Sequence, residues 1–238
     1  MTRSYQILIV GGGAAGLATA ASLHNRDRSL EIAIVEPADK HYYQPGWTMV
    51  GAGIFQKEET CRDMDSVWPA GVERIRNAVK SFDPKNNTVT LNDKTKIGYE
   101  ILIVASGLKL DWDAIEGLTD SLGHNGVTSN YNYDLAPYTW QLVQEFQGKD
   151  AIFTMPGMPI KCAGAPQKAM YLSCDHWQKT GRLSGMNVSF CNAGPVLFGC
   201  ATYVPPLMKY VDKYGINLDF GHNPVSYTHL RAHETQFH

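Results

Sequence analysis

Three features that mark whole classes of protein are missing from this sequence. Its 21 basic and 23 acidic residues give a formal net charge of −2, and no basic run could follow a nucleic-acid backbone, so nucleic acid is not an expected partner. No apolar run approaches the roughly 20 residues that cross a bilayer. The start passes directly into an apolar segment without a signal or transit peptide, so we expect a mature cytoplasmic chain.

Patterns of cysteine and histidine that bind metals or build disulfide frameworks are also missing. His229, His233 and His238 have no cysteine or carboxylate at a familiar ligand spacing, so no metal site is expected. Residues 226–238 show no helix or strand pattern, and we interpret them as a tail that is foreign to the fold. The cysteines are odd in number and widely spaced, and none forms a CxxC pair: Cys61, Cys162, Cys174, Cys191 and Cys200.

What the sequence does contain is a strand, a glycine turn and a helix in immediate succession near its start. Tyr5–Val10 is a short run of strand formers, and Leu17–Leu23 is a helical stretch. Between them, Gly11 permits a tight turn, Gly13 lets a pyrophosphate approach the backbone, and Gly16 allows the helix to pack closely on the strand. This motif predicts a dinucleotide-binding Rossmann unit; a glycine-rich turn without a ligand is the alternative.

Two further segments favour FAD as the dinucleotide. A second predicted strand, Glu31–Val35, ends in Glu36, about twenty residues after the glycine turn, where an acid accepts the ribose hydroxyl. Tyr99–Gly107 has the composition of a buried strand and ends in small residues, among them Ala105 and Gly107, as is needed where a chain passes a nucleotide. This ending resembles the strand that closes the FAD site in flavoproteins with two dinucleotide domains.

The rest of the chain predicts more sheet. Val72–Val79 and Phe82–Leu91 have the composition of small antiparallel strands. Asp150–Thr154 and Met186–Asn192 are short apolar strands that predict a second Rossmann-like unit. Neither strand is followed by a glycine fingerprint. The turn after the first strand is rich in proline and contains Cys162, and the turn after the second strand also lacks G-x-G-x-x-G. A nicotinamide nucleotide therefore has no evident binding turn here.

Cys162 is the candidate catalytic residue. Pro166 fits the first turn of a helix that runs to about Lys179, so Cys162 lies just ahead of a helix N-terminus with Lys161 beside it. Both features favour a reactive thiolate. The alternative is a small buried hydrophobic residue, the usual state of a free cysteine. Of the other cysteines, we interpret two as packing residues (Cys174, Cys191), one as a candidate redox partner (Cys200) and one as having no chemical cue (Cys61).

Five segments together resemble the sulfide:quinone oxidoreductases of mitochondria and many bacteria. They are GGGAAG, EPADKHYYQPGWTMVGAG, YEILIVASGL, IFTMPGMPIKCAGAPQK and GPVLFG, within residues 5 to about 222. HYYQPGWT and PIKCAGAPQK are much more specific than the glycine fingerprint. The resemblance implies that Cys162 carries the sulfane sulfur and that FAD is contacted at Ala14, Ala15, Glu36, Gln44 and Val79.

The function implied by this resemblance is FAD-dependent oxidation of sulfide to sulfane sulfur through a cysteine persulfide. Electrons would pass through the flavin to a membrane quinone, and the sulfur would pass to a small-molecule acceptor. The second redox cysteine and the membrane-docking helices of the family belong to a carboxy-terminal half beyond this chain. We therefore expect the chain alone to be inactive, and peripheral association with a bacterial or mitochondrial inner membrane only for the full-length protein.

The expected fold class is α/β. A Rossmann-like FAD-binding domain is predicted over residues 1–148, followed by a second Rossmann-like domain over residues 149–225. The alternatives are a type II NADH:quinone dehydrogenase, another FAD-dependent reductase, and a non-catalytic flavin-binding module. The first two need a nucleotide turn after Thr154, and an exported module would need a signal peptide. Reduction of a bound flavin by sulfide or by NADH would discriminate between them.

Overall fold

The computed structural model describes residues 3–224 and residue 226. The predicted foreign tail after Ser226, with its histidines, lies outside the described residues. The chain forms two compact units: the first comprises the chain up to Tyr43 together with Glu58–Lys109, and the second comprises Gln44–Lys57 together with the chain from Leu110 onwards. The domain boundaries after residues 148 and 225 stay predictions. Within the described residues, no helix is both long enough and apolar enough to cross a membrane.

The described residues contain strands and α-helices in a mixed order. The strands are β1 (Arg3–Val10), β2 (Ile32–Val35), β3 (Lys40–Tyr42), β4 (Cys61–Asp63), β5 (Glu73–Ile75), β6 (Val79–Asp83), β7 (Thr88–Leu91), β8 (Lys96–Val104), β9 (Asp150–Met155), β10 (Asn187–Asn192) and β11 (Asn217–Phe220). The helices are α1 (Ala14–Arg26), α2 (Trp47–Val50), α3 (Met64–Val67), α4 (Leu118–Ser121), α5 (Ala136–Glu145), α6 (Ala165–Lys179) and α7 (Val204–Tyr214).

The first unit is built on a sheet with the strand order β5-β2-β1-β8-β7-β6. β1 lies in the middle and pairs in parallel with both β2 and β8. Its residues Leu8 and Ile9 are fully buried, because a central parallel strand is covered on both faces. The register places Val10 beside Val35 and Val104. The carboxyl ends of three parallel strands therefore meet at one edge, which is where such sheets bind ligands.

One strand prediction in this unit was wrong. The segment Val72–Val79 was expected to be a small antiparallel strand, but it is divided by a turn at Asn77, whose amide donates to the Ile75 carbonyl. Residues before the turn form β5, which pairs in parallel with β2. Residues after the turn begin β6, which pairs antiparallel with β7 as expected.

The second unit contains a parallel sheet with the order β11-β10-β9. Helices α6 and α7 supply Met170, Trp177 and Val211 to a core that also includes Phe190 of β10. The predicted strands after residue 149 and the predicted helix ending at Lys179 are confirmed. The α/β class with two Rossmann-like units is therefore confirmed as well.

Candidate functional site

The glycine turn of the first unit has the geometry that its sequence predicts. Gly11 has φ +106°, a conformation that side chains rarely adopt, and its amide donates to the Val35 carbonyl at 2.9 Å. A β-carbon at Gly11 would overlap the backbone of Ala105, and one at Gly16 would overlap the carbonyl of Gly11. The turn therefore packs directly against the ends of β2 and β8, and two of its glycines are required by this packing.

Gly13 is required neither by its conformation nor by its neighbours. Its backbone is extended, with φ −72° and ψ −173°, and a β-carbon built there would meet no atom within 4 Å among the described residues beyond its two chain neighbours. Gly13, Ala14 and Ala15 are exposed, and no side chain caps the first turn of α1. Open space above uncapped helix amides is the arrangement that binds a pyrophosphate. The residues present thus fit the dinucleotide that the sequence predicts.

Glu36 lies beside the glycine turn, as expected. Its Oε2 accepts a hydrogen bond from the Gly12 amide at 2.7 Å, and its Oε1 accepts one from the Ala38 amide at 2.7 Å. These two hydrogen bonds hold the turn in place. They are stronger than bonds to a neutral acceptor because the carboxylate is charged. Carboxylate oxygens have further lone pairs, which remain available to a ribose hydroxyl.

The remaining predicted FAD contacts of the first unit lie on two different strands. Ala105 follows β8, and its amide donates to the Val10 carbonyl at 2.7 Å, while Gly107 lies two residues further in an open position. Val79 begins β6 and is half-buried against the core that contains Val35. The structure thus brings Gly11, Glu36 and Ala105 together. It places Val79 on β6, an edge strand of the same sheet.

The corresponding turn of the second unit, residues 156–164 between β9 and α6, is longer and contains Cys162. This residue is exposed and has φ +59°, the left-handed conformation. Its carbonyl accepts a hydrogen bond from the Ala165 amide at 2.9 Å, the first residue of α6. Cys162 therefore lies immediately ahead of a helix N-terminus, as predicted from Pro166, and it is not the buried hydrophobic residue of the alternative interpretation.

The ammonium of Lys161 has a hydrogen-bond partner that the sequence did not predict. Its ammonium donates a hydrogen bond to Oε1 of Gln44, which belongs to the same unit. Burial lowers the pKa of Lys161, and the nearby Cys162 raises it in opposition. Gln44 was predicted to contact FAD; in the structure its side-chain oxygen binds Lys161, and its contact with FAD stays a prediction.

A tyrosine that the sequence did not single out holds this turn. The hydroxyl of Tyr131 donates to the carbonyl of Lys161 and also lies 3.2 Å from the carbonyl of Cys162. Burial, and to a lesser extent the charge of Cys162, raises the pKa of Tyr131 to about 12. The hydroxyl is therefore protonated, and remains a donor, at neutral pH.

Two buried amide side chains fix the loop after β10, and one of them, Gln167, joins this loop to the start of α6. Gln167 donates to the Leu197 carbonyl at 2.7 Å, and Asn192 donates to the Val196 carbonyl at 2.9 Å. Asn192 also accepts from the Gly194 amide at 2.8 Å. No sequence pattern indicates these contacts, because each of them involves a residue of the loop after β10, which has no periodicity.

The other cysteines differ from Cys162 in their surroundings. Cys174 is completely buried in α6, and burial raises its pKa to about 12, which confirms its interpretation as a packing residue. Cys191 is half-buried in β10, and its pKa is raised by burial and by Asp219. Cys200 is exposed at the end of the loop after β10. Cys162 and Cys200 are thus the exposed thiols among the described residues.

Comparison with known proteins identifies the group to which the chain belongs. A sequence profile described as "Pyridine nucleotide-disulphide oxidoreductase" matches residues 5–138. The chain belongs to this family. It is 41% identical over 222 residues to the mitochondrial sulfide:quinone oxidoreductase of Dictyostelium discoideum, in an alignment that covers 92% of this chain and 49% of that protein. The resemblance stated from the sequence is therefore confirmed, as is FAD, the cofactor of this flavoprotein oxidoreductase fold.

Solved structures of this family's fold superpose on most of the chain. The sulfide:quinone oxidoreductase of Aquifex aeolicus matches with a TM-score of 0.74 and 23% identity, over 92% of this chain and 51% of that one. A chain in the cryo-EM structure of the mitochondrial ATP synthase of Tetrahymena thermophila matches with a TM-score of 0.79 and 18% identity, over 94% and 56%. These likenesses show the fold. The chain spans about half the length of the curated relatives that it matches.

Proposed function

We propose that this chain forms the FAD-holding and cysteine-bearing part of a sulfide:quinone oxidoreductase. The observation that carries the proposal is the exposed Cys162 at the start of α6, in the turn where a Rossmann unit that binds a nicotinamide nucleotide has its glycine fingerprint. The name of the Dictyostelium discoideum relative, which is 41% identical to this chain, supports sulfide as the substrate and a quinone as the electron acceptor.

Oxidation of sulfide at Cys162 forms one sulfur–sulfur bond. The thiolate and HS⁻ together give a persulfide on Cys162, one proton and two electrons. Bound FAD would supply the acceptor for this electron pair, and a quinone would be its final acceptor. The persulfide sulfur then leaves to a small nucleophilic acceptor, which returns Cys162 to its thiolate.

The residues of this chain have separate tasks in that reaction. The amides at Gly13, Ala14 and Ala15 bind the FAD pyrophosphate, and Glu36 holds the glycine turn and accepts from the ribose. Cys162 lies just ahead of α6, where the positive end of the helix dipole favours a thiolate. Contacts of FAD with Gln44, Val79, Ala105 and Gly107 belong to the same proposal.

The test is an anaerobic titration of the full-length protein with sulfide, followed by the absorbance of the bound flavin. We expect sulfide to bleach the flavin of the parent protein and of Cys200→Ala, which removes the other exposed thiol. Cys162→Ala should bind FAD normally and resist bleaching.

Two results would overturn the proposal. One is equal bleaching of the parent and of Cys162→Ala, which would make the cysteine structural. The other is bleaching by NADH and not by sulfide, which would identify a nicotinamide-dependent reductase. For the 238-residue chain alone we expect no turnover with sulfide and a quinone, and measured turnover would contradict that expectation.

A further inference from the structure

The backbone of Cys162 is held in a conformation that a cysteine does not prefer. A left-handed φ of +59° places the β-carbon of a non-glycine residue close to the following carbonyl. Other non-glycine residues with positive φ in the described chain are Asn87, Lys94 and Asn125, which lie in turns. A conformation of this kind persists where the surrounding contacts determine it, so those contacts identify what fixes the thiol.

The hydroxyl of Tyr131 is one of these contacts. It reaches the turn from a segment about thirty residues earlier, and it donates to the carbonyl of Lys161 while lying 3.2 Å from the carbonyl of Cys162. Both carbonyls that flank the left-handed residue therefore point towards the same hydroxyl. The ring of Tyr131 is half-buried, which limits the freedom of the hydroxyl to leave.

Two more contacts complete the frame around the turn. The Ala165 amide at the start of α6 donates to the Cys162 carbonyl at 2.9 Å, and the Lys161 ammonium donates to Gln44. Neither contact restrains the carbonyl of Lys161, to which the Tyr131 hydroxyl donates. Loss of this hydroxyl would free the peptide that joins Lys161 to Cys162.

We propose that Tyr131 is a positioning residue for Cys162, whose hydroxyl locks the left-handed turn so that the thiol stays at the N-terminus of α6. The inference rests on the proposed function insofar as Cys162 is the reacting thiol. Tyr131 acts on the thiol through the backbone carbonyls of the turn. When the lock is released, residue 162 relaxes towards negative φ, and its side chain takes a new direction relative to the start of α6, whose positive dipole end favours negative charge nearby.

Cys162 acts electrostatically on two titratable groups of the same unit, Tyr131 and Lys161. The pKa of Tyr131 is raised to about 12 by burial and by Cys162, so the hydroxyl is neutral near neutral pH. The pKa of Lys161 is lowered by burial and raised by Cys162. Replacing Tyr131 by phenylalanine removes a neutral donor, so a change in thiol reactivity reports a changed position and not a removed charge.

The test measures the alkylation rate of each cysteine in the 238-residue chain as a function of pH, with iodoacetamide and peptide mass spectrometry. For Tyr131→Phe, we expect the rate at Cys162 near neutral pH to fall about fivefold, the factor that corresponds to one lost hydrogen bond, and its pH midpoint to rise. Cys200 in the same protein, exposed but distant in sequence, should react as before.

Tyr171→Phe is the matched control. Tyr171 is half-buried, its pKa is also raised to about 12 by burial, and its hydroxyl donates to Gln167 of the same helix at 3.3 Å. This variant should leave the profile of Cys162 unchanged. An unchanged profile in Tyr131→Phe, or an equal change at Cys200, would overturn the proposal. Because the readout needs neither flavin nor sulfide, it is independent of the titration that tests the proposed function.

Discussion

The turn after β1 and the turn after β9 solve the same structural problem differently. Each joins a parallel strand to a helix, but the first uses residues 11–13 and the second uses residues 156–164. Each contains one residue with a left-handed backbone conformation shortly before its helix begins. In the first turn that residue is Gly11, and in the second it is Cys162.

The difference shows what each turn is built for. Glycine adopts the left-handed conformation without strain, so the first turn is short, and its open position at Gly13 leaves room for a ligand that approaches the backbone. The second turn holds a cysteine where a left-handed conformation costs a non-glycine residue about 1–2 kcal/mol. A strained and exposed thiol is retained there at the expense of stability, which favours a chemical role for Cys162 over a packing role.

The largest expected effect comes from placing a side chain at the first turn. Gly11→Val combines backbone strain with overlap against Ala105, so we expect a loss of about 3–5 kcal/mol of stability in the first unit and loss of FAD binding. Gly13→Ala is the matched control, because its β-carbon meets no protein atom. It should leave hydrogen exchange of the β1 amides unchanged and lower FAD affinity at least about tenfold, the factor that 1.4 kcal/mol gives. Unchanged affinity would mean that the pyrophosphate lies elsewhere.

The second unit should be weakened next by loss of a buried amide. Gln167→Leu leaves the Leu197 carbonyl without its donor beneath the loop after β10, so we expect a loss of about 2 kcal/mol. Gln178→Leu replaces an exposed glutamine of the same helix and should change stability little. Urea unfolding followed by hydrogen exchange of α6 measures both. Equal effects of the two substitutions would show that the buried hydrogen bond is not what fixes the loop.

A smaller loss is expected at Glu36, which holds the first turn through two backbone amides. Glu36→Ala removes both acceptors, and because the side chain is half-exposed we expect about 1–2 kcal/mol. Glu36→Gln keeps one acceptor oxygen without charge and should fall between the parent and the alanine variant. Chemical denaturation without FAD separates this structural effect from the contribution of Glu36 to cofactor affinity. A stability of Glu36→Ala equal to that of the parent would contradict this role.

The sequence predicted the first turn almost completely, because its determinants are local. The strand, the glycines and the helix are contiguous, and Glu36 follows its own strand at the expected distance. For the second turn, the sequence predicted only two features. These are the absence of a glycine fingerprint and the position of Cys162 before α6.

What fixes the second turn comes from distant segments without regular patterns. Tyr131 lies in a turn and Gln44 begins a short 3-10 helix. No periodicity marks a hydroxyl that will donate to a backbone carbonyl, or a side-chain amide that will accept from a lysine, thirty or more residues away. The same reason explains the error at Val72–Val79. Composition identified strand formers there, while the turn at Asn77 and the parallel partner of β5 depend on the folded sheet.

The smallest expected effect is the one that compares the two turns most directly. Cys162→Gly gives the second turn the residue that the first turn uses at its left-handed position, so we expect a gain of about 1 kcal/mol in the stability of the second unit. Cys162→Ala removes the same sulfur but keeps a β-carbon, so its stability should stay near that of the parent. Chemical denaturation of the three proteins measures the difference. If the glycine variant is no more stable than the alanine variant, the left-handed conformation carries no strain, and the contacts of Tyr131 and Ala165 would then describe a relaxed turn instead of a restrained one.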